Sequence, residues 1–134
     1  MIEYKEGYKY QLNADYTCQV DIWPTEIVTL YYIALDPLGR LTVRRGYAWD
    51  GPSGPTIDTK TFMRGSLIHD ALYQLIRWGL LPPETKKDAD MELKKACIED
   101  GMCRIRAWYV HWSVKRLASY ACSPENKKEV LVAP

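Results

Sequence analysis

Between Trp49 and Lys60 the chain reads Trp-Asp-Gly-Pro-Ser-Gly-Pro-Thr-Ile-Asp-Thr-Lys. Each proline lacks a backbone N–H and each glycine lacks the restraint of a Cβ, so no strand or helix can run through this stretch. It divides the sequence into halves with different hydrophobic periods. Residues 7–20 partly alternate aromatic and polar side chains, as a half-buried strand does. Ile27 to Leu35 is rich in β-branched and aromatic residues. Asp36-Pro37-Leu38-Gly39 then signals a hairpin, with Pro37 presetting φ and Gly39 tolerating a positive one. The return strand begins at Leu41 and ends near Tyr47. After the loop the period is helical. A first helix over 61–78 is opened by Thr59 or Thr61 and closed by Gly79. Pro82-Pro83 intervenes, Thr85 can cap a second helix over about 86–100, and Gly101 ends it. A third spans about 103–121, before Pro124. Strands followed by helices imply an α+β fold: an N-terminal antiparallel sheet with a hairpin, an antiparallel helix pair and a third helix. The expected organisation is one domain over 1–122, β-rich in 1–48, loop in 49–60 and helical in 61–122. The tail 123–134 is expected to be loosely held.

Composition narrows the class. The chain of 134 residues is 47% hydrophobic and 26% charged, which excludes wholesale disorder. Eighteen Lys and Arg against seventeen Asp and Glu leave a net charge of +1, so a strongly basic nucleic-acid footprint is missing. No uncharged run approaches the ~20 apolar residues of a membrane helix, and Glu3, Lys5 and Glu6 break any signal-peptide core. An integral membrane protein is therefore not expected. Ten Tyr and five Trp against one Phe favour half-exposed rings, whose polar tips need partners. Cys18, Cys97, Cys103 and Cys122 show no C-x-x-C spacing, so they are expected to be reduced rather than zinc ligands with His69 and His111.

The chemistry-bearing residues cluster on the helix pair. His69 and Tyr73 project from one face of the first helix; Asp70 points along a neighbouring edge, and Arg64 lies near the helix start. The short connection makes the second helix antiparallel. Its inward stripe is Asp90, Leu93 and Cys97, with Glu92, Lys94 and Lys95 outside. Asp90 is thus a carboxylate on an apolar face, and its partners are His69 and Tyr73. A carboxylate on one imidazole nitrogen fixes the tautomer and leaves the other free to take a proton from water. Asp70 is suited to holding a hard cation with carbonyls of the Gly-rich loop, as Ca²⁺ sites do. Arg64 is expected to clamp Asp50 or Asp58 across loop and helix.

Two resemblances follow. His69-Asp70-Ala71-Leu72-Tyr73 resembles the H-D-x-x-Y motif of phospholipase A2-like enzymes. That likeness implies His69 as general base, Asp70 as calcium ligand, and Tyr73 supporting Asp90, which follows at the spacing of the short prokaryotic members. Arg64 falls where those enzymes often carry Arg, and Gly51-Pro-Ser-Gly54-Pro55-x-x-Asp58 where they place a calcium loop. The half-cystines of the animal enzymes are missing, the loop is Pro-rich and carries Asp50, and the β-rich half has no counterpart. A more specific likeness spans about residues 28–101. Gly46-Tyr47-Ala48-Trp49-Asp50-Gly51-Pro52-Ser53-Gly54-Pro55, Ile68-His69-Asp70-Ala71-Leu72-Tyr73 and Asp88-Ala89-Asp90 resemble, in order and spacing, a phage and prophage family of unknown function. It implies a bacteriophage origin, with synthesis in the host cytoplasm and possible association with the virion.

These readings leave two function classes open. One is a calcium-assisted esterase or phospholipase-like hydrolase acting on envelope lipid or another ester. Its catalytic residues are His69, Asp90 and Tyr73, its metal ligands Asp70, Asp50, Gly51 and Gly54, and its supporting residues Arg64, Ser53 and Asp58. The other is a non-enzymatic virion or tail protein that binds other phage proteins, with the His-Asp-Tyr network purely structural. In that class Asp50 is a turn former and Asp70 a solvated helix charge. Ser53 lacks the strand–elbow–helix setting of a nucleophile.

Overall fold

Short antiparallel strands precede three helices, as the change of hydrophobic period along the sequence implies. The computed structural model describes residues 10–49 and 60–122, with side chains up to Lys115 in the last helix. The strands belong to one compact unit and the helices to another.

In the first unit, β2 (Tyr16–Gln19), β5 (Arg40–Val43), β4 (Ile33–Leu35) and β3 (Val28–Thr29) form an antiparallel sheet in that order, and β1 (Tyr10–Gln11) pairs with β6 (Ala48–Trp49). Registers Ile33↔Val43 and Leu35↔Leu41 place four apolar side chains on one face, all buried. The intervening Ala34↔Thr42 pair faces the other way, as a period of two demands. The expected hairpin is present. Asp36 Oδ1 accepts from the N–H groups of Leu38 and Arg40, both at 2.9 Å, and Gly39 takes φ +86°. Any side chain in place of Gly39 would be strained, and its Cβ would collide with the Val20 carbonyl.

Two expected strands are interrupted. The 7–20 stretch, of which 7–9 lie outside the described residues, breaks at Leu12–Asp15. There Asp15 Oδ1 accepts from the N–H of Arg45, 30 residues away in sequence, at 2.8 Å, so a side chain rather than a backbone carbonyl satisfies that donor. Ile27–Leu35 breaks at Tyr31-Tyr32, where Leu30 and Ile33 exchange backbone hydrogen bonds at 2.8 and 3.3 Å across a tight turn. Buried Tyr32 packs edge-on against Tyr31 and Tyr47, so ring packing holds a turn that no Gly, Pro or Asn announces.

The second unit contains α1 (Lys60–Arg77), α2 (Lys86–Glu99) and α3 (Arg104–Cys122). Gly79 and Gly101, at φ +78° and +106°, end the first two as expected. Thr85 does not cap α2 through its side chain; it closes a 3-10 turn, Pro83–Thr85, that runs straight into the helix. α1 and α2 are antiparallel: Arg64 meets Asp100, Gly65 meets Leu93 and Cys97, and His69 meets Asp90. The approach is close at Gly65, where a Cβ would stand 2.9 Å from Leu93 Cδ1 and 3.0 Å from Cys97 Sγ. Phe62, Leu93, Cys97, Met102, Ala107 and Val110 form the core shared with α3. Glu92, expected on the outer side, is buried, with Lys95 Nζ 3.1 Å from its Oε1. The ion pair one turn away makes that burial tolerable. No helix among the described residues is long and apolar enough to cross a membrane.

Burial pushes the Cys97 thiol up from 9.0 to about 11, helped by Asp100 and opposed by Arg64 and Arg106. Above pH 9 the unfolded chain loses this proton while the folded chain keeps it, so stability falls as pH rises towards 11. The loss is of order 2 kcal/mol. Urea unfolding on either side of that window should show the decline in wild type and a shallower one in Cys97→Ala; equal declines would contradict it. Gly65→Val should destabilise by about 1–3 kcal/mol by separating α1 from α2. The same unfolding curves measure it, and an unchanged midpoint would count against the close approach.

Candidate functional site

Antiparallel packing brings the middle of α1 against the start of α2. His69 and Tyr73, one turn apart on α1, face Asp90 in the second turn of α2. His69 Nε2 lies 2.7 Å from Asp90 Oδ1, and the Tyr73 hydroxyl donates to the same oxygen. The two α1 rings lie against each other, with centroids 3.9 Å apart and planes tilted by 43°. Asp90 is 1% exposed, and His69 keeps 9% of its side-chain surface accessible. The three residues expected from sequence to meet are therefore together.

An ionised carboxylate only accepts hydrogen bonds, so with Asp90 as the carboxylate the proton of this bond belongs to His69 Nε2. The lone pair then resides on Nδ1, which has no hydrogen-bond partner among the described residues. Asp90 thus orients the ring and would stabilise it as an imidazolium, while Tyr73 holds Asp90. Such an arrangement is chemically suited to a general base with its orienting acid, and equally to a buried polar crosslink.

Arg64 holds α1 to the far end of α2. Its Nε lies 3.0 Å from Asp100 Oδ2 and its Nη2 2.7 Å from Glu99 Oε1. Two carboxylates at a helix C-terminus oppose the helix dipole, and the guanidinium offsets them. The partners expected for Arg64, Asp50 and Asp58, lie outside the described residues, as do Gly51, Ser53 and Gly54. The Glu99-Asp100 pair was a readable signal, because antiparallel helices set the first turn of one beside the last turn of the other. His111 on α3 was not foreseen near the dyad. Burial lowers its pKa most, Asp90 opposes that, and Lys94, Lys115 and His69 add to the lowering. Only tertiary packing of α3 reveals this coupling.

For calcium, Asp70, itself half-buried between buried neighbours on α1, offers one carboxylate. Among the described residues no group of three or more His, Cys, Asp or Glu gathers as a metal site.

Removing the shared carboxylate strands two buried donors. Asp90→Ala should lose roughly 3–5 kcal/mol, and Tyr73→Phe about 1.5–3 kcal/mol. Chemical denaturation of both variants checks this; wild-type stability in Asp90→Ala would mean that the bonds contribute nothing. No protein-family model, curated protein or solved structure matches this chain.

Proposed function

We propose that this chain is a bacteriophage ester hydrolase whose general base is His69, oriented by Asp90 and Tyr73 and assisted by calcium. The observation that carries the reading is the 2.7 Å bond from His69 Nε2 to a buried carboxylate, with Nδ1 left to act. In the reaction, Nδ1 removes a proton from water as its oxygen attacks the ester carbonyl. Asp90 stabilises the resulting imidazolium without taking its proton. The tetrahedral species collapses, the C–O bond to the leaving alcohol breaks, and the imidazolium returns the proton to that alkoxide. Calcium, held by Asp70 with Asp50 and loop carbonyls of Gly51 and Gly54, would supply positive charge for the oxyanion. Arg64 fixes the start of α1 next to this loop in sequence, and Ser53 and Asp58 belong to the loop itself. Envelope lipid is the substrate class this reading favours. Phage origin rests on the three ordered blocks between Gly46 and Asp90.

The burial of the same groups favours a second reading, in which the triad is a polar crosslink between helices of a non-enzymatic virion or tail protein. The two readings separate at His69. In the hydrolase, His69→Gln stays folded and loses at least ~10²-fold in turnover of lipid or generic ester. In the structural protein, wild type turns over none of these esters, and the variant unfolds or fails to assemble. Millimolar calcium should raise the thermal midpoint of wild type but not of Asp70→Asn. An unchanged wild-type midpoint would remove calcium from the account.

A further inference from the structure

The third helix carries a face that the dyad does not use. α3 contains Arg104, Arg106, Lys115 and Arg116 and no acidic residue. Ala107 and Val110 are buried in the core cluster, and Val114 packs against it. On the other side, Ile105 is 83% exposed, Trp108 56%, Tyr109 44% and Trp112 43%. At about 100° per residue, these four fall within an arc of roughly 100° centred opposite the buried three. By the same geometry, Arg104 and Lys115 flank one margin of the arc and Arg106 the other. Tyr109 and Trp112 are stacked, with centroids 6.3 Å apart, which presents a ready-made aromatic surface.

The charge pattern selects the occupant. A second copy of the helix would bring cations against cations. Nucleic acid would engage the cations but has no use for an isoleucine held in water at the centre of the arc. An anionic bilayer satisfies every component. Ile105 and the ring bodies enter the acyl boundary, the Trp N–H and Tyr O–H groups sit at head-group level, and the flanking cations reach phosphates. We propose that the Ile105–Trp108–Tyr109–Trp112 face of α3 docks on an anionic phospholipid surface, with the helix lying in the interface plane. The proposal uses none of the dyad's residues, so it holds whether or not the chain is a hydrolase.

The test is co-sedimentation of the full chain with lipid vesicles. Wild type should bind vesicles containing roughly one quarter phosphatidylglycerol, bind pure phosphatidylcholine more weakly, and release as salt rises. Ile105→Ser with Trp108→Ser should weaken binding at least about tenfold. Arg104→Gln and Lys115→Gln should each weaken it about fivefold, and these milder changes at exposed positions keep the test valid should the double variant misfold. His69→Gln should bind like wild type, and the α3 variants should keep any turnover of a water-soluble ester, so failure of docking and failure of the dyad chemistry are told apart. Absence of wild-type binding to anionic vesicles would overturn the proposal. So would undiminished binding by a folded double variant, equal affinity for both vesicle types, or a dimer in sedimentation velocity that depends on Ile105 and Trp108.

Discussion

One carboxylate oxygen organises the helical unit. Asp90 Oδ1 accepts from both an imidazole and a phenol on the facing helix. Burying that charge would be strongly unfavourable alone, and its two donors would be equally unfavourable without it. The register of α1 against α2 follows from this mutual dependence. With His69 opposite Asp90, the glycine at 65 meets Leu93 and Cys97, and Arg64 reaches the acidic end of α2. Apolar contacts supply most of the attraction between such helices, but they tolerate sliding. The polar contact specifies one alignment.

The same contact leaves the imidazole asymmetric. One nitrogen is committed to a buried acid and the other is not, and the ring retains a small accessible surface. A residue kept solely for packing has no need of that asymmetry, whereas a general base depends on it. Structural networks can produce it too, which is why the proposed chemistry turns on the behaviour of Nδ1 rather than on burial.

Helix boundaries were legible because helix punctuation is local. Gly79, Pro82-Pro83 and Gly101 act on their own backbone, and the structure ends its helices there. The meeting of His69, Tyr73 and Asp90 was also readable, since two helical periods and a short antiparallel connection suffice to derive it. The Tyr31-Tyr32 turn was hidden, because side-chain packing stabilises it rather than a turn-forming residue. Glu92 was misplaced for a related reason: a helical wheel assigns charge to the outside and cannot see that a Lys95 ammonium, itself still exposed, reaches back to the buried carboxylate. The coupling of His111 to the dyad depends on how a third helix crosses two others, which no periodicity encodes.

The most direct examination of the dyad is nitrogen-15 NMR of the His69 ring near neutral pH. The account requires the Nε2–H tautomer, a slowly exchanging Nε2 proton, and loss of that protection in Asp90→Ala. A ring that carries its proton on Nδ1, or averages between tautomers as free histidine does, would contradict it.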